Sequence, residues 1–344
     1  MIVSFAAIIT KKGQVFFNPW TDKHEDLIQE FKIQDEHIKI LFQPDDNKDL
    51  DNEMEYKITT YYFDKMPEWF NSIRDQATTR LRELVHELIL KNQNLDTLIG
   101  KCAILSNTTV KNAINSNIYI MLGTSIIENL KEGSQVGYMF NNARINNMMN
   151  ESFVKEMNNG CIINVMKDNS KIRHMNGESI IEIMQDWSLV ESLRGGKIKT
   201  MKNNSKILFM GDELMGGGSI IECMTDKSHV EVMRGHNRIW KMEKNSTIDS
   251  MTDHGGVNLM TDNSRIGFVY GDCEIVDMRK WSHASASPGT IIEDSRERHY
   301  NPNLKDYQEI LLDALNKIAY GTDEDPKKIA WAALDHAKRY EDER

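Results

Sequence analysis

Between Thr108 and Met278 the chain repeats itself with a period of nine residues, and a period that short leaves few folds open. The unit reads Ser-x-Ile-x-x-Met-x-x-x. It is clearest in Ser219-Ile-Ile221-Glu-Cys-Met224, Ser228-His-Val230-Glu-Val-Met233, Asn237-Arg-Ile239-Trp-Lys-Met242 and Ser246-Thr-Ile248-Asp-Ser-Met251. Of 19 copies, all have Val or Ile at the third position, 15 have Met at the sixth and 12 have Ser at the first.

Nine residues cannot close a coil around a packed core, whereas two nonapeptides can. The sequence therefore predicts a mainly β fold, a parallel β-solenoid of 18-residue coils, each with two short strands and two turns. Position eight supports the doubling, because Asp168, Gly177, Asp186 and Gly195 alternate there. Positions one and three of a strand point the same way, so small Ser and β-branched Ile share a thin interior. Met stands an odd number of positions from Ile, and strict alternation would expose it. A bend after position four is expected to turn it inward, where an unbranched thioether fills an irregular corner. The expected core includes Ile172, Met175, Ile181, Met184, Ile221, Met224, Val230, Met233, Ile239, Met242, Ile248 and Met251. At about 4.8 Å per coil the copies predict a rod of roughly 45 Å. The one large break, Leu214-Met-Gly-Gly-Gly218, adds five residues between Met210 and Ser219 and predicts a loop bulging from one side.

The ladder divides the chain into residues 1–98, 99–292 and 293–344. The first part reads as a ββαββα domain. Asp22-x-x-Glu25 suggests a capping box, and a long helix opens at Pro67 with Ile73, Ala77, Leu81, Leu84 and Leu88 on one face. That helix is expected to cover the first coil, since an uncovered solenoid end exposes core and strand edge. The last part predicts two acidic helices. One carries the stripe Leu304, Tyr307, Leu311, Leu315, Ile318, and the other starts at Asp325-Pro326. They are read as a cap or a partner-binding element.

The ladder resembles the short-repeat β-solenoids common among bacteriophage and mobile-element proteins of unknown role, which also set a small N-terminal domain ahead of a Ser/Ala-x-Val/Ile ladder. The resemblance implies a fold and carries no catalytic residues.

Charge narrows the partner. The net charge of -10 is spread as -6 over residues 1–99, -1 over 100–300 and -3 over 301–344. A near-neutral ladder offers no basic stripe to nucleic acid and no phosphate-like acidic array, so neither DNA binding nor DNA mimicry is favoured. No apolar run is long enough for a membrane span, and the first residues place their charges after the apolar stretch, unlike a secretory signal. Cys102, Cys161, Cys223 and Cys273 form no Cys-x-x-Cys pair, and two of them replace the repeat's Ser. A cytoplasmic location is expected, with a virion as the alternative.

Several residues invite a chemical reading. His236, His254 and Asp272 fall on one row of an 18-residue coil, a weak candidate for a metal site or a coupled imidazole pair. Trp187 and Trp281 fall at turns and Trp240 at an outward position, where aromatics dock proteins or stack on sugars. His24-Glu25-Asp26 could hold a general base, against the simpler reading of acids at a helix start. The ladder carries at most one Asp per turn, too few for the calcium-binding nonapeptides that need Gly-Gly-x-Gly-x-Asp. Polysaccharide-active β-helices build paired carboxylates on long loops, and the Leu214–Gly218 bulge has none. The sequence thus predicts a phage-encoded, non-enzymatic interaction or structural protein without cofactor, which presents a rigid surface to a protein partner. Trp187, Trp240, Trp281, Leu214 and Met215 are the candidate contacts. A virion or adhesin component binding carbohydrate is the alternative, and self-association through the solenoid face or the C-terminal helices is a further expectation.

Overall fold

The computed structural model describes residues 3–21, 23–60, 66–100, 102–211, 218–286 and 291–292. The bulge residues Leu214 and Met215 and the two C-terminal helices read from the sequence lie outside them.

The N-terminal elements follow the expected order: β1 (Phe5–Thr10), β2 (Val15–Phe17), α1 (His24–Phe31), β3 (His37–Gln43), β4 (Lys57–Thr60) and α2 (Glu68–His86). The sheet runs β2-β1-β3-β4, all antiparallel. Every residue of β1 is buried, which explains why its sequence does not alternate. Ala6 and Ile8 pack with Leu27 of α1 on one side, while Phe5, Ala7 and Ile9 enter a larger core on the other. Asp22 of the expected capping box lies outside the described residues; the residue before α1 is Lys23, with no side-chain cap, and Glu25 pairs with Lys39 at 2.6 Å. In α2 the buried stripe is Phe70, Ala77, Leu81 and Val85; Leu84 and Leu88, expected on that face, are half-buried.

From Ile89–Lys91 onward, the described strands are dealt alternately into two parallel sheets of 12 strands each. Most neighbours stand 18 residues apart, as in Ile221 with Ile239 and Val230 with Ile248, and a few stand 17 apart, as in Ile181 with Ile198, or 15 at the first rungs, as in Ile89 with Ile104. Across the insertion the spacing is 23, as in Met201 with Met224, and pairing resumes in register. The five extra residues therefore leave the stack undisturbed. The sheets begin one coil before the motif, at Ile89 and Asn94, inside the segment the sequence groups with the first domain. Twelve rungs at about 4.8 Å give a rod of about 53 Å.

The bend is present. A typical strand has its second and fifth residues buried and the two between them facing out, as in Ile220–Met224. The 15 ladder Met side chains are at most 1% exposed, and so are the twelve core residues named above. The first-position Ser residues are buried with them. Turns are made by residues in the left-handed region, among them Asp168 (φ 57°), Gly177 (φ 59°), Asp186 (φ 60°) and Gly195 (φ 88°). Asp, Asn and Gly are the residues that tolerate it.

The N-terminal domain lies on the flank of the rod. Phe5, Phe42, Tyr56, Phe70 and Leu81 share one core with the outward residues Ile104, Tyr119, Ile120 and Tyr138 of the first coils. The Tyr119 hydroxyl donates to the Ser4 carbonyl (3.3 Å), and Ser106 Oγ donates to Asp51 (2.5 Å). What it covers is therefore the side of one sheet. The reason lies in composition: the outward rows there are aromatic and aliphatic.

Candidate interaction surface

Each of the three turn residues expected on one row follows a left-handed residue, Gly235 (φ 84°), Asp253 (φ 65°) and Gly271 (φ 80°), so successive coils present the same edge. The Asn237 amide, bonded back to the Gly235 carbonyl at 2.8 Å, pins the first of these turns. There the exposed rings of His236 and His254 stack, 4.6 Å between centroids and 9° from parallel. Arg234 flanks them, ion-paired with Asp253 at 3.1 Å. The row also explains Gly218, whose missing Cβ would stand 2.0 Å from the His236 carbonyl oxygen.

This geometry does not suit a metal. Imidazole donates through lone pairs in its own plane, and parallel rings aim those pairs side by side instead of at one point. Among the described residues no three His, Cys, Asp or Glu are grouped to hold an ion. The stacked imidazole pair is present, and the metal reading of His236, His254 and Asp272 is withdrawn.

The general-base reading of His24 fails for a different reason. Its ring is buried, and Nε2 lies 2.8 Å from the Ile40 carbonyl, tying α1 to β3. Cys161, Cys223 and Cys273 are likewise shielded from the thiolate form. Burial pushes the Cys161 thiol up to about 12 and also raises those of Cys223 and Cys273, which keeps all three protonated.

The three indoles do face solvent: Trp187 is 68% exposed, Trp240 45% and Trp281 73%. They do not form one patch. Trp187 and Trp281 share a turn row but follow strands five rungs apart (Ile180–Met184 and Glu274–Met278), about 24 Å. Trp240 lies on the sheet face between them, with Lys197 Nζ 5.2 Å from its ring centre.

Around the indoles the outward rows neutralise themselves from rung to rung. Lys199 meets Glu182 at 2.7 Å, Lys280 meets Asp262 at 2.6 Å, and Lys171–Glu191, Lys197–Glu222 and Lys206–Glu231 pair likewise. The near-zero ladder charge is thus near zero locally as well.

Two features escaped the sequence reading. One is a pair of exposed aromatics, Phe268 (74%) and Tyr270 (68%), on the strand Arg265–Tyr270. Their signal was legible, since Phe stands at a repeat position that is polar in many copies. The other is an open polar cleft of about 770 Å³ where the N-terminal domain meets the first coil. It is lined by Asp49, Asp51, Glu53, His86 and Lys91, with His86 Nδ1 3.1 Å from Glu53. The sequence showed only an acidic loop there, because the seam joins residues distant in the chain.

No protein-family model, curated protein or solved structure matches the chain.

Proposed function

We propose that this protein is a non-enzymatic interaction rod, encoded by a phage or other mobile element, that holds exposed aromatic side chains at fixed spacing for a protein partner. The observation that carries this reading is the pairing of an unbroken buried core with indoles at 68% and 73% exposure on its turn row. A continuous register makes the frame stiff, so Trp187, Trp240 and Trp281 are displayed at set distances with little entropy left to lose on docking. Trp is also the side chain most often dominant in protein interfaces. Charge complementarity plays the smaller part, because the outward Lys and Glu already pair with one another.

The test is affinity capture from the native host with the full chain and with a Trp187→Ser/Trp240→Ser/Trp281→Ser chain. The reading expects one partner retained by the first and reduced at least tenfold by the second, with both chains melting alike. Equal recovery by both, or turnover of a defined substrate by the purified protein, overturns it.

A further inference from the structure

The outward row that starts at Ile104, Ile120 and Tyr138 can be followed strand by strand along the rod. It is polar at Glu156, His174 and Ser192, carries half-buried Phe209 and Val232, is polar again at Ser250 and ends on Phe268. At its beginning the row is apolar because a domain of the same chain lies on it. At its end the apolar residue is uncovered: Phe268 is 74% exposed, and Tyr270, two residues on in the same strand, is 68% exposed. The last rung beside them, His283–Ala286, follows its one large residue, His283, with the small Ala284 and Ser285, which give them little shelter.

The sequence continues for 52 residues past Ile292, the last described residue (344 − 292). Its first apolar pattern is Leu304, Tyr307, Leu311, Leu315 and Ile318, at three- and four-residue spacing. Ile292 ends a strand of the opposite sheet, and residues 293–303 can span at most about 36 Å, enough to round the coil, about 10 Å thick between sheets, and reach Phe268 one or two rungs back. Two aromatic side chains offer about 300–500 Å², short of the roughly 800 Å² per partner of a stable dimer. A tethered segment needs less area, since attachment supplies an effective concentration near the millimolar range.

We propose that the apolar stripe of residues 304–318 docks on Phe268 and Tyr270 and covers the far flank of the ladder as the N-terminal domain covers the near one. This contact is intramolecular and independent of the partner-binding reading.

The test compares backbone amide exchange in the full chain and in its Phe268→Ser/Tyr270→Ser form, both substitutions being at exposed positions. Exchange over 304–318 should quicken at least tenfold in the variant while strands 219–251 keep their protection. A Leu311→Asp chain should produce the same loss without touching the ladder. Unchanged rates over 304–318 in both variants overturn the proposal. So does a sedimentation mass of two chains that falls to one in the Phe268→Ser/Tyr270→Ser form, which would assign the aromatics to a second copy.

Discussion

His236 and His254 lie face to face, ring centres 4.6 Å apart, on turns one coil removed from each other. Their nitrogens point along parallel planes, so a divalent ion gains no shared site. Excess Zn²⁺ is therefore expected to move the melting temperature by less than about 1 °C, since stabilisation by a ligand requires binding to the native state. A rise of about 4 °C or more, abolished by His236→Ala, would contradict the stacked geometry.

Ile221 is fully buried between Ile198 and Ile239 of the adjoining rungs. Ile221→Asp places a carboxylate in an interior made of Ile and Met with only neutral Ser hydroxyls and no cationic partner among its core neighbours, and a loss of at least about 4 kcal/mol is expected. Ile221→Val, which removes one methylene, should cost only about 0.5–1.5 kcal/mol. Met224→Leu at the neighbouring corner should stay under about 1.5 kcal/mol. Urea unfolding of the three chains checks the order; equal midpoints for Ile221→Asp and Ile221→Val would refute it.

Asp226 turns the chain with φ 58°. A β-branched residue there meets its own carbonyl, so Asp226→Val is expected to lose about 1–2 kcal/mol. Asp226→Gly, free of that clash, should remain within about 0.5 kcal/mol of the parent. Thermal melts of the pair are sufficient, and a Val variant as stable as the Gly variant would count against a strained turn.

At the seam, burial pushes the Asp51 carboxyl up, but the Ser106 hydroxyl and the Lys91 ammonium, 2.9 Å away, outweigh it and hold it below its ordinary value of 3.8. A carboxylate depressed in the folded state adds stability above its unfolded value, and that stability is lost as pH falls through the folded one. Asp51→Asn should thus cost about 1 kcal/mol at neutral pH, a figure reduced for partial exposure. The gap to the parent should close in acid below the ordinary value. Urea midpoints measured across that range test the sign; a gap that widens in acid would be the wrong one.

His174 shows the same logic with the opposite chemistry. Burial, then the nearby Arg194, holds its imidazole below the ordinary value of 6.5. The neutral ring is the one that folds, so its contribution is present above 6.5 and is lost as pH falls below that value. Replacing His174 with Gln should flatten the acid side of the stability profile between about pH 7 and 5, the range in which an imidazole changes charge.

How much of this was legible beforehand depends on distance along the chain. The period, the coil length, the inward Ile and Met and the turn-forming Asp and Gly are all repeated within nine residues, so one copy corrects the next. The ββαββα order was readable for the same local reasons, while the partner of Glu25, Lys39 14 residues away, was not. Where the N-terminal domain sits was not readable. Tyr119 and Tyr138 look like chance aromatics at outward positions until Phe5 is seen against them, its ring centre 4.8 Å from that of Tyr119. The same limit hid the meaning of Phe268.

The sequence by itself determined the solenoid, because a nonapeptide with one β-branched and one thioether position can bury both only by coiling in pairs. Tertiary structure alone decided which outward residues are covered, which stand exposed and which rings stack. Those outcomes depend on which rungs meet across the rod and on a domain folding back over its flank, and a nine-residue period carries no record of either.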